Sequence, residues 1–429
     1  MTPNSDAAAV ALSDYFAPCT LGLEEVLGQE LRELGALEVQ VRRGGVAFRG
    51  DRRLGYAANL WLRTAVRVQL EVARFKARGK DELYAGVREI EWERWLSVDG
   101  TLAVDGSVRD SEMTHSGFAA LTVKDAICDR FRSREGRRPS VDVQNPTLPI
   151  KLVLARDQAT LYINLSGESL HKRGWRPIQV KSPLNEAIAA GLLQLSGWDR
   201  KSPLVDPMCG SGTFLVEAAQ LAAAHAPGMQ RRFAFERFPD FDVAVWAKLK
   251  GEAQQRAKLK LPFLIEGADR HGGAVSLAHR SVRAAGVEGM VKLSETPIAY
   301  FDPASEKFTV MVNPPWGERI GGGAELEQTW IDLGHFLHQR CIGSSAFVLS
   351  GNAELPRKLG LRAARKWPVM TGPIECRLLR YDVFVPPPEA IGEVESPVEP
   401  ESGLSTDSSS PAVSDATSED PSAEPPALP

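Results

Sequence analysis

Five cysteines in 429 residues (Cys19, Cys128, Cys209, Cys341 and Cys376) are too few and too scattered for a disulfide scaffold or a CxxC metal knuckle. No apolar run approaches the ~18–20 residues that cross a bilayer, which excludes membrane-spanning helices. Met1–Ser13 has neither a basic start nor a long apolar stretch, so no signal peptide is expected, and a cytoplasmic protein suits the free thiols. Among seven histidines, His335 and His338 stand three apart with no cysteine or carboxylate set beside them, so no metal is expected. Nothing in the pattern demands a second subunit, and a monomer is expected. With 43% apolar and 25% charged residues, the chain reads as two or three globular domains.

The net charge of −4 hides two opposed regions. Residues 386–429 hold ten acids and no Lys or Arg, and without those acids the net charge becomes +6. That tail is rich in Pro and Ser and is expected to be disordered. Residues 42–180 carry 25 Lys and Arg against 17 Asp and Glu, which suggests a polyanionic partner or simply a well-solvated surface. Arg63 and Arg67 on an expected strand from Trp61 to Val72, Lys124 and Arg132 on an expected helix from Phe118 to Phe131, and the pair Lys172-Arg173 are the candidate phosphate contacts. On that helix Leu121, Ile127 and Cys128 should face inward, with Arg130 outward.

The first half otherwise reads as α+β. A helix is expected over Leu23–Leu34, strands over Val39–Phe48 around Gly44-Gly45, and further strands at Thr101–Val104, Leu152–Leu154 and Leu161–Ile163. From about residue 183 the rhythm becomes strand, loop, helix. Ser182-Pro183 reads as a helix start, followed by strands ending at Asp206, Asp269, Asn313 and Ser350. That alternation predicts an α/β, doubly wound and mostly parallel sheet with ligands at the carboxyl ends of its strands.

Three of those strand ends carry chemistry. Asp206-Pro207-Met208-Cys209-Gly210-Ser211-Gly212-Thr213 is a glycine loop opening a helix, but it is neither GxGxxG nor a GK[ST] loop. It suits S-adenosylmethionine better than a dinucleotide, with a purely structural turn as the alternative. Asp269, one βαβ step later, could accept both hydroxyls of a ribose or merely cap a helix. Asn313-Pro314-Pro315-Trp316 offers the Asn313 side-chain oxygen and the Pro314 carbonyl as acceptors for a planar NH₂ group, with Trp316 as a stacking face. Gly321-Gly322-Gly323 follows as a turn or a flexing loop.

These motifs resemble those of class I S-adenosylmethionine-dependent methyltransferases acting on exocyclic amines. With Leu170-His-Lys-Arg-Gly-Trp-Arg176, Ser182-Pro-Leu-Asn-Glu186 and Gly372-Pro-Ile-Glu-Cys376, the chain more closely resembles THUMP-domain RNA guanine-N2 methyltransferases, particularly those acting on bacterial 23S rRNA. The resemblance covers about residues 15–385. It implies a ferredoxin-like region at 15–60, a THUMP RNA-binding domain at 61–165, a linker at 166–182 and a Rossmann-like methyltransferase domain at 183–385, after a disordered stretch at 1–14. It implies cofactor contacts from Asp206, Pro207, Cys209, Gly210, Gly212, Thr213, Asp269 and Asn313, and a target guanine held by Asn313, Pro314 and Trp316. Two departures stand out. The family usually has Tyr or Phe where Trp316 stands, and the acidic residue near the cofactor adenine is missing around Ser294–Pro297, where Glu295 is a weak substitute. A tRNA guanine-N2 methyltransferase, a DNA amino-methyltransferase and a non-catalytic RNA-binding assembly factor are the rival readings.

Overall fold

Two sheets organise the chain in the computed structural model, which describes residues 11–176, 184–317 and 323–384. Residues 1–10, the acidic tail, Ser182-Pro183 and Gly321-Gly322 lie outside the described residues, and the disorder expected to 14 is corrected at its end, because Ser13 and Asp14 pair as strand with Gly50 and Arg49.

The first sheet has eight strands: β1 (Ser13–Pro18), β2 (Leu37–Arg42), β3 (Gly45–Gly50), β4 (Gln69–Lys76), β5 (Thr101–Arg109), β6 (Ser140–Val141), β7 (Leu148–Ala155) and β8 (Gln158–Asn164). Their order is β2-β3-β1-β4-β8-β7-β5-β6, so the ferredoxin-like strands and those that follow share one continuous ladder through β1 and β4. The β2–β3 hairpin turns at Arg43-Gly44, where Gly44 takes φ +85°. The β7–β8 hairpin turns on Arg156 and Asp157, both at positive φ, the mirror-image turn whose twist matches its flanking strands.

The segment from Trp61 differs from its expected strand. Trp61 ends a helix over Arg52–Trp61, capped by the Asp51 carboxylate accepting the Leu54 N–H at 2.7 Å, and β4 begins only at Gln69. Leu60, Leu62, Arg63 and Thr64 are all buried, so the two-sided alternation of a half-buried strand does not run through this stretch. The Phe118 helix spans Ser116–Glu135 with Ile127 and Cys128 inside, but Leu121 is exposed. Arg130 is buried instead of facing outward, because Glu93 accepts its Nε–H at 2.9 Å and the Arg88 carbonyl takes a second N–H.

The second sheet has seven strands: β9 (Leu204–Asp206), β10 (Ile265–Asp269), β11 (Val291–Glu295), β12 (Thr309–Val312), β13 (Ser345–Ser350), β14 (Arg365–Thr371) and β15 (Ile374–Asp382). The order is β11-β10-β9-β12-β13-β15-β14, with β9 to β13 parallel and β15 antiparallel to both β13 and β14. This is the doubly wound sheet expected. The helix before β9 runs Glu186–Leu195, with Asn185 as its N-cap accepting the Ala187 N–H at 2.9 Å, so the start falls later than Ser182-Pro183. Gly191 of that helix lets Leu23 of the first module pack close, since a Cβ there would lie 2.6 Å from a Leu23 methyl. No described helix is long and apolar enough to cross a membrane.

Candidate active site

The strand order puts β9 between β10 and β12, with chain connections leaving in opposite directions, so a crevice opens where their carboxyl ends diverge. All three expected motifs end there. Register pairs Val310 with Val205 and Gly267 with Asp206, so Asn313 lies one strand over from Asp206 and two residues further along. At ~4.8 Å between strands and ~3.3 Å per residue, their backbones stand within about 10 Å of each other.

The glycine loop is held from the β10 side. Gly210 donates its N–H to the Asp269 carboxylate at 2.9 Å, and the other Asp269 oxygen accepts the His271 N–H at 2.9 Å. Cys209 donates its N–H to the Ala268 carbonyl at 2.9 Å. Gly210 takes φ +53°, and no atom comes within 4 Å of where its Cβ would be, so the loop presents an open backbone face. Gly212 takes φ +79° and approaches Ala278 of the helix Gly272–Ala284, where a Cβ would sit 3.2 Å from the Ala278 methyl. The helix Thr213–Ala222 starts immediately after it.

Asp206 is buried beneath this loop, accepting the Met208 N–H at 3.2 Å. Burial, with the Asp269 charge added, pushes its carboxyl pKa well above the usual range. Pro207 and Cys209 are buried too, and burial raises the Cys209 thiol. Thr213 is buried with its hydroxyl engaged by Arg176, whose Nη2 donates to it at 3.0 Å. Glu295 ends β11 directly beside Asp269, its carboxylate against Gly272.

At the β12 end the amide oxygen of Asn313 is buried with no hydrogen-bond partner among the described residues. An orphaned buried acceptor costs about 1–3 kcal/mol, which a donor group entering the site would relieve. The turn around it is fixed from behind. Trp330 donates its indole N–H to the Pro315 carbonyl at 2.9 Å, and Trp316 donates to the Leu349 carbonyl at 3.1 Å. Pro314 is buried and Trp316 half-buried, one side of its ring lying on Gly351. Sequence reasoning missed Trp330, Gly351 and Arg176, although Arg176 stands inside a motif quoted for the resemblance.

The basic candidates divide. Arg63 and Arg173 are buried, 5% and 2% exposed, and are corrected from surface contacts to structural ions. Both point at the fully buried Glu217 carboxylate, Arg63 Nη1 at 3.4 Å and Arg173 Nε at 3.2 Å. Arg67 is half-buried, donating to the Gly167 carbonyl. Lys124, Arg132 and Lys172 reach solvent beside Asp125, Asp129 and Glu168 respectively.

Three family models match in succession: an RlmL ferredoxin-like domain over residues 14–69, a THUMP domain over 77–164, and an RMKL-like methyltransferase domain over 173–380. The chain is 37% identical over 383 residues to a Synechocystis protein named "Putative RNA methyltransferase slr0064", covering 89% of this chain and 100% of that one. It is 41% identical over 381 residues to ribosomal RNA large subunit methyltransferase K/L of Syntrophotalea carbinolica, covering 86% of this chain but 53% of the relative. The chain thus spans about half the length of the K/L relatives it matches. The crystal structure of SMU.472, a complex with SAH, superposes with a TM-score of 0.80 at 30% identity over 88% of this chain and 99% of that one. Strand order, glycine loop and full-length similarity agree: the chain belongs to the RMKL-like methyltransferases that carry an RlmL ferredoxin-like domain and a THUMP domain.

Proposed function

We propose that this protein transfers a methyl group from S-adenosylmethionine to the exocyclic N2 amine of a guanosine in RNA, with large-subunit ribosomal RNA as the favoured substrate. The observation that carries the reading is the buried, unpartnered Asn313 oxygen beside the glycine-loop strand. An acceptor there suits an amine, which has N–H to donate, and repels a ring nitrogen such as guanine N7, which is itself an acceptor.

The residues at the glycine loop fit such a donor. Gly210 leaves its backbone face open, Asp269 has lone pairs left for ribose hydroxyls, and the helix that starts at Thr213 has no side-chain cap on its first N–H groups. The bound donor supplies a methyl on a cationic sulfur, which needs no metal. Asn313 holds the amine so that its nitrogen lone pair, rather than an N–H, faces that methyl. The C–S bond breaks as the C–N bond forms, and the excess proton leaves the now strongly acidic ammonium for water. Positioning of this kind lowers a barrier by roughly 7–11 kcal/mol. Trp316 offers its outer ring face to the base, which must be unstacked or extruded to arrive, at a few kcal/mol. Arg67, Lys124, Arg132 and Lys172 lie in the basic half that would hold the phosphates and offset this cost.

Ribosomal RNA is favoured over tRNA because the K/L relatives are named for it. The test is incubation of the protein with methyl-labelled S-adenosylmethionine and total RNA or DNA, followed by nucleoside mass mapping. N2-methylguanosine in large-subunit RNA is expected. Label confined to DNA, to tRNA or to guanine N7 would overturn the respective part of the reading.

A further inference from the structure

The Leu170–Arg176 motif braces the helix that follows the glycine loop. Its two arginines, three residues apart, grip one helix at positions one turn apart. Arg173 holds Glu217, and Arg176 holds Thr213, so both ends of the first turn of the helix Thr213–Ala222 are fixed by one strap. Arg176 does more than touch Thr213. Its Nη1 donates to the Ser211 hydroxyl at 3.2 Å while Nη2 donates to Thr213 at 3.0 Å, so one planar fork spans Gly212 from either side. Glu186 accepts the Nε–H at 2.7 Å, the Leu184 carbonyl takes a further N–H, and the guanidinium lies 5.1 Å from the Trp175 ring centroid. The guanidinium is therefore fixed by an ion pair, a carbonyl and a ring face before it reaches the loop.

Gly212 sits at φ +79° and Gly210 at φ +53°, conformations with little intrinsic preference over their alternatives in glycine. A loop of two such glycines has low cost for rearrangement, so its shape must be imposed from outside. Asp269 does this on one flank, through the Gly210 N–H. The Arg176 fork is the counterpart on the other, and no lysine could bridge two hydroxyls in the same way.

We propose that Arg176 is a positioning residue for the methyl donor: acting through the Ser211 and Thr213 hydroxyls, it presets the Gly210–Gly212 backbone that receives S-adenosylmethionine. This rests on the proposed donor, and the experiment separates the two. Binding of S-adenosylmethionine and of S-adenosylhomocysteine is measured by calorimetry on wild type, Arg176→Lys, the pair Ser211→Ala with Thr213→Val, and the triple variant. RNA methylation kinetics are run alongside.

Failure of the wild type to bind either compound would overturn the donor itself. If the wild type binds, Arg176→Lys is expected to weaken both ligands by about tenfold or more, as loss of a charge-assisted fork should. The KM for S-adenosylmethionine should rise likewise, with the KM for RNA unchanged and kcat at saturating donor within about threefold. The hydroxyl pair should reproduce this loss, and the triple variant should be no worse than Arg176→Lys alone. Binding within twofold of wild type, equal rises in both KM values, or additive losses would each overturn the proposal. Should Arg176→Lys not fold, Ser211→Ala alone, which keeps the Arg176–Glu186 ion pair and alters no expected donor contact, decides by the same rise in donor KM.

Discussion

Trp316 and Gly351 meet so closely that a methyl group on Gly351 would come within 2.7 Å of the indole ring. The indole N–H is tied to Leu349, two residues before Gly351, so the ring cannot simply swing away. Gly351→Ala is therefore expected to tilt Trp316 toward the crevice. Donor binding by calorimetry should stay unchanged while kcat on RNA falls about tenfold to a hundredfold.

Asn313→Ala removes the unpartnered acceptor without disturbing the Trp330 and Trp316 anchors behind it. Loss of one preorganised polar contact in a closed site lowers kcat by about 10²–10³-fold. Single-turnover methylation at saturating donor reads this directly, and a loss below tenfold would remove Asn313 from the chemistry.

Asp206→Asn should stabilise the free protein while weakening the donor. Burial raises the Asp206 carboxyl in the folded state, so its charged form opposes folding at any pH above that raised value. The penalty vanishes once pH falls below the unfolded carboxyl range, where both states hold the proton. The Tm gain of the variant, measured by differential scanning calorimetry, is thus expected to be largest near pH 8 and to shrink toward pH 4. A gain that grew on acidification would contradict the assignment.

Glu217→Gln strips the shared partner from two buried arginines. Breaking such a network from one side costs about 3–5 kcal/mol, which in a unit of this size should lower Tm by roughly five degrees. By contrast Arg132→Glu, on a half-exposed side chain, should leave Tm within a degree or two. It should raise the KM for RNA and lower the salt slope of RNA binding by about one unit. Thermal melts and filter binding across a salt series separate the two classes of arginine.

The contrast between Arg63 and Arg132 also marks how far the sequence could be read. Strand ends at Asp206, Asp269 and Asn313 were legible because a parallel sheet writes each strand as an apolar run closed by a turn, whatever its neighbours. Their convergence followed from the alternation alone, since adjacent parallel strands bring their carboxyl ends to one edge. The glycine loop and the Asn-Pro-Pro-Trp turn are local chemistry and needed no tertiary information to be picked out.

Local chemistry also determines that the molecule pairs an α+β basic half with a doubly wound half. What it left open is every contact between segments distant in sequence. Arg63 looks like any surface arginine until Glu217, 154 residues away, closes over it. Trp61–Val72 imitates a strand until packing buries consecutive residues together, and Arg176 is only a basic residue in a motif until Ser211 and Thr213 arrive beneath it. Charge is a property of a residue, but whether it faces water or an opposite charge is a property of the fold, because only packing sets the solvent around it.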